Sequence, residues 1–181
     1  RRPFFGGTLF IFIGAMFGIV LSNQMVWMFF FWEITTFCSY LLIGYTKTKE
    51  AIENSFRALW MNLVGGCGFA IAIVYCKVSL GTLELNNVIQ IGLDNPDSVV
   101  IPLLFLSIAC LIKSAQLPFS RWLLGAMVAP TPSSALLHSA TMVKAGVYLL
   151  IRLSPVLSDS LVGFIVISVG GFTFMAASLL A

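Results

Sequence analysis

The chain has 181 residues, of which 59% are hydrophobic and only 9% are charged, and its mean hydropathy is +1.01. This composition excludes an ordinary soluble globular domain and is typical of an integral membrane protein. The net charge of +3 comes from dispersed side chains without a basic stripe, so the sequence also excludes nucleic acid as a partner.

Apolar stretches long enough to cross a membrane follow one another along the chain. A spanning α-helix needs about 20 apolar residues. The stretches cover residues 4–22, 25–45, 54–76, 99–126, 133–152 and 161–181. The turn Ser22–Gln24 is so short that the first two spans must form an antiparallel hairpin. The connection 77–98 is rich in turn residues and is expected to include a short amphipathic segment at the interface. The sequence therefore predicts an all-α, polytopic membrane helical bundle.

Basic residues are distributed unequally between the two ends of these spans. If the spans alternate in direction, one side receives the basic residues of "RRP" (1–3) and "TKTKE" (46–50). The other side receives Lys77 and Arg152. Cytoplasmic loops carry the excess of Lys and Arg, so we expect a multi-pass protein of the cell (inner) membrane whose residue 1 is cytoplasmic.

Several ionisable residues lie at membrane depth. Glu33 lies about 12 Å into the second span and Lys113 about 21 Å into the fourth, and His138 and Lys144 lie about 9 Å apart in the fifth. A charge at this depth is costly and needs a partner, a water-filled cavity or a function. Arg57, near the cytoplasmic start of the third span, is equally well explained by snorkelling to the interface.

Pro118 follows Lys113 in an otherwise apolar stretch, "LLFLSIACLIKSAQLPFSRW" (103–122). Proline removes a backbone donor and clashes with the preceding turn, so it predicts a broken helix with free carbonyl groups near Ser114. Such groups are tolerated in a membrane only where protein or water covers them. We therefore expect Lys113 to lie beside a polar helix break, with Pro132 in the first turn of the next helix.

The cysteines offer no redox or metal site. Cys38, Cys67, Cys76 and Cys110 lie in or at the ends of apolar stretches and lack the spacing of a metal site, which favours packed, inert thiols. The sequence has one histidine, no Cys-x-x-Cys pair and no Gly-rich phosphate loop. We expect no cofactor and no metal, and we expect any redox chemistry to take place in a partner.

Two segments resemble a known superfamily. "LIKSAQLPFSRWLLGAMVAPTPSSALLHSATMVKAGVYLLIRLSP" (111–155) and "FFFWEITTFCSYLLIGY" (29–45) resemble the antiporter-like proton-translocating subunits shared by respiratory complex I, multisubunit cation/proton antiporters and energy-converting hydrogenases. The similarity covers nearly the whole chain. "NSFRALWMNLVGG" (54–66) and "LLGAMVAPTP" (123–132) look most like the large subunit of the energy-converting nickel-iron hydrogenases, because other branches usually have "LPDAM" where this chain has "LLGAM".

The resemblance implies a fold of two inverted five-helix repeats, each with one broken helix. Residues 1–152 would form the amino-terminal repeat and residues 153–181 would begin the second, so we expect the chain to be part of a longer protein. The resemblance also implies partners: other membrane subunits of a hydrogenase or complex I-like assembly, membrane lipids, and peripheral redox subunits that act through the complex.

The resemblance further implies a proton pathway. Glu33 matches the glutamate that pairs across a helix interface, Lys113 matches the lysine of the broken helix, and His138 matches a relay histidine in the next helix. Lys144 matches a lysine found in some branches only. Arg57 falls where relatives often carry a basic residue, which would tune Glu33.

Three hypotheses remain open for the function. The first is a proton-translocating membrane subunit coupled to redox chemistry in partner subunits, without a redox site of its own. The second is a subunit of a multisubunit Na⁺/H⁺ antiporter. The third is a structural scaffold in which Glu33 forms a static ion pair with one of the lysines and His138 only packs.

Overall fold

The computed structural model describes residues 2–135, 141–158 and 160–180. The helices are α1 Arg2–Leu21, α2 Met25–Ile43, α3 Lys49–Tyr75, α4 Leu85–Asp94, α5 Pro96–Lys113, α6 Arg121–Gly125, α7 Thr131–Ala135, α8 Met142–Leu157 and α9 Leu161–Leu180. Short 3-10 turns cover Gly44–Thr46 and Ala126–Val128, and a π-helical turn over Cys76–Leu80 extends α3. The prediction of an all-α bundle is confirmed.

Five helical segments in these parts of the chain have the length and composition to cross a membrane. They are Pro3–Leu21, Met25–Thr46, Lys49–Leu80, Pro96–Lys113 and Leu161–Leu179. They correspond to the first four predicted spans and to the sixth.

The predicted fifth span is described in two pieces, α7 and α8, because residues 136–140 lie outside the described ranges. Pro132 lies in the first turn of α7, as expected. The helix α8 continues to Leu157 and so runs through residue 152, where we divided the two repeats. That division stays a prediction.

The turns between the first helices are fixed by side-chain caps. Gln24 accepts a hydrogen bond from the Trp27 backbone N–H at 2.8 Å and so caps α2. Thr48 accepts one from the Ala51 N–H at 3.2 Å and caps α3. Each cap satisfies a donor that the first helical turn leaves free. The helices α1 and α2 pack along their length as the expected hairpin.

The connection 77–98 contains the expected amphipathic segment. In α4, Leu85 and Val88 are buried, whereas Asn86, Asn87 and Gln90 are exposed. The chain just before α4 pairs with the turn between α1 and α2, because Met25 N–H donates to Leu83 O and Leu85 N–H donates to Asn23 O, both at 2.8 Å. The connection is therefore fixed to the hairpin.

Arg152 of α8 forms hydrogen bonds at the end of the bundle where the α1–α2 turn and α4 lie. Its guanidinium donates to Ser22 O at 2.9 Å, to Asn23 Oδ1 at 3.0 Å and to Asn86 Oδ1 at 2.8 Å. One side chain thus joins the α1–α2 turn, α4 and α8, which explains why a basic residue lies on the side with few positive charges.

The helix α3 lies between α2 and α5 and packs closely on both. Glycines permit this approach: a Cβ on Gly65 would lie 3.5 Å from the Ala109 Cα, and one on Gly68 would lie 3.2 Å from Phe105 O. The paired residue numbers rise on α3 as they fall on α5, so the two helices are antiparallel. The three helices α2, α3 and α5 surround the interior in which the buried charges meet.

Candidate functional site

Lys113 is the last residue of α5, and its side chain is 1% exposed. The ammonium donates to Thr36 Oγ1 at 2.8 Å and to Trp32 O at 3.2 Å, both in α2. It also lies over the Trp32 ring, 5.1 Å from the ring centroid, where a cation is attracted by the aromatic face. The buried charge is thus held by the neighbouring helix.

The helix break begins directly after Lys113, and Lys113 itself precedes Pro118 by five positions. Ala115 has a left-handed backbone with φ of 55°, and the chain becomes helical again only at Arg121. The prediction of a broken helix in this region is confirmed.

Protein groups satisfy the backbone around the break. Ile112 O accepts from the Ala115 N–H at 3.0 Å and from the Trp122 indole N–H at 2.9 Å. Beyond the break, the Leu117 N–H donates to Thr173 Oγ1 of α9 at 3.0 Å. The break is therefore a fixed structure built from three segments of the chain.

Glu33 lies in the middle of α2, in the same turn that holds Lys113. Its carboxylate rests against Gly66 of α3, where a Cβ would overlap Oε1 and lie 3.0 Å from Cδ. Glu33 Oε1 is buried and has no hydrogen-bond partner in the described part of the chain. The Lys113 ammonium is bonded to the residues at positions 32 and 36, so the two opposite charges lie at the same turn of α2 and attract one another. The structure thus brings Glu33 and Lys113 together without a hydrogen bond between the ammonium and Oε1.

Glu33 also borders a groove on the opposite side, between α1 and α2. The groove has a volume of about 590 Å³, and Thr8, Phe30 and Phe37 are among the residues that line it. The carboxylate therefore lies between the α2–α3–α5 interior and a groove at the surface of the described bundle.

Three groups of this site were missed in the sequence. They are the Trp32 carbonyl, the Thr36 hydroxyl and Gly66, which makes room for the carboxylate. Thr36 carries a detectable signal, because a polar residue three positions after Glu33 in an apolar helix lies on the same face. The other two have no such signal, since every residue has a carbonyl and glycine is common in this chain.

Lys144 and Arg57 do not join this cluster. Lys144 is exposed on α8 and lines a cleft with Met16, Phe17 and other residues of α1. Arg57 is exposed on α3 and donates to Asn54 Oδ1 at 3.4 Å, one turn below it on the same helix. His138 lies outside the described residues. The roles of all three in a proton pathway stay predictions.

The cysteines are free thiols. Cys38, Cys76 and Cys110 are buried, as expected, whereas Cys67 is exposed on α3. The expectation of a packed thiol is therefore wrong for Cys67, because its side chain lies on the face of α3 that is turned away from α2 and α5. The described residues contain no group of three or more potential metal ligands among His, Cys, Asp and Glu side chains.

The fold and the buried lysine at a helix break define a polytopic membrane protein with charged residues in its interior. Residues 22–181 match the family model described as the transmembrane domain of NADH:quinone oxidoreductase and Mrp antiporters. The chain belongs to this family, which confirms the superfamily resemblance seen in the sequence.

Individual relatives include antiporter subunits and a respiratory complex. The chain is 40% identical over 156 residues to the Na⁺/H⁺ antiporter subunit A1 of Staphylococcus epidermidis, covering 84% of this chain and 19% of that protein. It is 39% identical to the same subunit of Staphylococcus saprophyticus, covering 94% of this chain and 22% of that protein. The chain thus spans about a fifth of the length of these relatives.

Chains with a similar fold are found in two solved structures of membrane complexes. The Mrp complex of a Dietzia species has a chain 36% identical to this one, with a TM-score of 0.82 over 88% of this chain and 18% of that chain. The membrane-bound sulfane sulfur reductase, an archaeal respiratory membrane complex, has a chain 26% identical, with a TM-score of 0.74 over 81% of this chain and 30% of that chain.

Proposed function

We propose that this chain is part of an antiporter-like membrane subunit and that it moves protons through the Lys113–Glu33 cluster. The observation that carries the proposal is the position of the Lys113 ammonium, fully buried at a helix break and bonded to α2 beside the Glu33 carboxylate. A fixed scaffold of this size has no need for a charge there, since an apolar side chain would fill the same space without a desolvation cost.

The arrangement suits the transfer of a proton. Two of the three ammonium donors are bonded to neutral oxygen atoms, so the loss of one proton does not leave a bonded anion without its partner. The carboxylate nearby favours the protonated ammonium, whereas burial favours the neutral amine. Small changes around the cluster can therefore load or unload a proton.

Na⁺/H⁺ antiport is the function that the relatives support best. The curated relatives at 38 to 40% identity are named as subunits of Na⁺/H⁺ antiporters. We therefore place this hypothesis before redox-coupled pumping, which the sequence alone favoured through its likeness to hydrogenase subunits. The partners would be the other membrane subunits of such a complex.

Redox-coupled pumping is the second candidate. It is supported by the likeness to a chain of an archaeal respiratory membrane complex, at lower identity. In that case peripheral subunits of the energy-converting hydrogenase or complex I type would supply the electrons. In both cases the proposed location is the cell membrane, with residue 1 on the cytoplasmic side.

The test is transport by the full-length protein, assembled with its own complex in vesicles. Lys113→Ala should abolish proton movement, because it removes the proposed carrier. Lys77→Ala is the matched control, since Lys77 is an exposed lysine at the end of the extended α3 and should tolerate the change. Normal transport by Lys113→Ala would contradict the proposal. A requirement for Na⁺ would distinguish antiport from redox-driven pumping, which would require an electron donor instead.

A further inference from the structure

Asn62 of α3 is a buried amide with an unused acceptor. Its side chain is 1% exposed, and its Nδ2 group donates to Ala58 O at 2.9 Å. Its Oδ1 is buried and has no hydrogen-bond partner within the described ranges. An amide oxygen without a donor is costly in an apolar interior, so this atom needs an explanation.

The helical geometry places Asn62 beside the Lys113–Glu33 cluster. Gly66, one turn further along α3, faces Glu33 of α2, and Gly65 faces α5 at Ala109 and Ile112. At 3.6 residues per turn, the direction of Asn62 falls about 40° from that of Gly66, on the side of Gly65. Asn62 is thus directed between α2 and α5, where the Lys113 side chain crosses from α5 to α2.

The level of Asn62 along α3 also places it beside the Lys113–Glu33 cluster. Because α3 is antiparallel to both neighbours, moving one turn back from Gly66 corresponds to moving one turn forward from Glu33 on α2. That step reaches the level of Thr36, which accepts a hydrogen bond from Lys113 Nζ. Asn62 Oδ1 and Glu33 Oε1, both without a partner in the described part of the chain, therefore come from neighbouring turns of the α2–α3 interface, near the level of the Lys113–Thr36 hydrogen bond.

The donors and acceptors of this interior do not balance among the residues that the structure describes. Lys113 has three N–H donors, of which two are used on Trp32 O and Thr36 Oγ1. Two buried acceptors, Asn62 Oδ1 and Glu33 Oε1, have no donor in residues 2–135, 141–158 and 160–180. One water molecule resolves the imbalance, because it donates twice and accepts the third ammonium N–H.

We propose that Asn62 is a positioning residue that holds one water molecule between Glu33 and Lys113. The water forms a route for the proton between carboxylate and ammonium, which have no direct hydrogen bond through Oε1. The effect of this water on transport rests on the proposed function. The existence of the water site does not. A sodium ion is disfavoured in the same place, since the adjacent ammonium would repel it, whereas a water molecule can accept from that ammonium.

The direct test is a structure of the full-length complex at a resolution that shows ordered waters, prepared once in Na⁺ buffer and once in K⁺ buffer without Na⁺. We expect a peak within hydrogen-bond distance of Asn62 Oδ1, Glu33 Oε1 and Lys113 Nζ in both. A peak that occurs only with Na⁺ would identify a cation and overturn the proposal. Occupation of the two oxygens by side chains of the rest of the protein would overturn it as well.

Transport by three variants tests the role of Asn62. Asn62→Leu removes the acceptor and should slow proton transfer about 10- to 100-fold, as expected for a misplaced reacting group. Asn62→Ser keeps a hydroxyl acceptor and should retain most of the rate. Ser107→Ala is the matched control, because Ser107 is also buried and its oxygen has no partner among the described residues. Ser107 shares its face of α5 with Cys110 and Ser114, which approach Gly146 of α8 instead.

The outcomes separate this inference from the proposed function. Equal rates for Asn62→Leu and Ser107→Ala, with the complex assembled, would overturn the role of Asn62. If Lys113→Ala still transports protons, the proposed function fails, whereas the water peak in the wild-type structure remains a valid test of the site. If Asn62→Leu does not assemble, the structure of the Asn62→Ser complex replaces it as the test. Retention of the water peak in that variant would support the site, and its loss would overturn it.

Discussion

Lys113 illustrates how a charge is kept in an apolar interior. Its ammonium is bonded to a backbone carbonyl and a hydroxyl of α2 and lies on the Trp32 ring, so most of its lost hydration is replaced by oriented dipoles. Glu33 adds a negative charge nearby without a hydrogen bond through Oε1.

The first prediction at this scale concerns the coupling of Glu33 and Lys113. Glu33→Gln removes the charge that favours the protonated ammonium, and Lys113→Ala removes the ammonium, so each should stop proton uptake by vesicles. Because both act on one step, the double variant should be little worse than either single one. Assembly is checked by detergent extraction of the complex. Effects that multiply in the double variant would show that the residues act independently.

The second prediction concerns the space at Gly66. Gly66→Ala introduces a Cβ that overlaps the Glu33 carboxylate, so the carboxylate must move away from its position beside Lys113. We expect proton uptake to fall markedly while the protein still assembles. Gly14→Ala in α1 is the control, since a Cβ there meets no atom of the described residues within 4 Å, and it should leave uptake unchanged. Equal uptake by the two variants would mean that the carboxylate position is not important.

At the scale of the helices, the sequence predicted the elements better than their contacts. Span length and the Ser22–Gln24 turn were readable from apolar residues, and Pro118 indicated the broken helix. The break begins at Lys113, earlier than Pro118, because Ala115 takes a left-handed backbone. The outward direction of Arg57 and Lys144 depends on how α3 and α8 are rotated against their neighbours, and an apolar stretch without a polar face does not specify that rotation.

The same limit applies to the candidate site. The proximity of Glu33 and Lys113 was predictable, since two buried charges of opposite sign favour one another. Their detailed partners were not, because the approach of α3 to α2 depends on Gly66, and that approach is a property of packing between helices. The sequence thus predicted that Glu33 and Lys113 lie at membrane depth, and the packing of the helices decided which groups they contact.

The third prediction tests what holds the broken helix. Trp122→Phe removes the indole donor to Ile112 O, which lies next to Lys113. Loss of a buried hydrogen bond should destabilise the protein by about 1–3 kcal/mol and lower its Tm in detergent. Trp60→Phe is the matched control, because Trp60 is 70% exposed on α3 and should leave the Tm nearly unchanged. An equal Tm for both variants would show that the indole hydrogen bond does not stabilise the break.

At the scale of the whole molecule, a large apolar surface surrounds the polar interior. Phe10, Phe164 and Phe174 are each more than two-thirds exposed, at 78%, 70% and 77%. Lipid or neighbouring membrane subunits can cover such side chains at little cost, in contrast to water. The Lys113 ammonium, by comparison, lies between α2, α3 and α5, whereas Glu33 also borders the groove between α1 and α2.

The last prediction concerns the orientation of the molecule in the membrane. The basic residues near the α2–α3 connection predict, by the positive-inside rule, that this connection is cytoplasmic and that α4 lies on the outer side. Thr46 and Gln90 are exposed in these two regions and suit single-cysteine labelling. Thr46 is preferable to Thr48, whose side chain caps α3.

The labelling is done in full-length protein from which the native cysteines have been removed, because Cys67 is exposed and would react. An impermeant thiol reagent added to intact cells should modify Gln90→Cys and should modify Thr46→Cys only after the membrane is opened. Each variant serves as the control for the other, since both present an exposed thiol. If Thr46→Cys were modified from outside and Gln90→Cys were protected, the protein would have the opposite orientation to the predicted one.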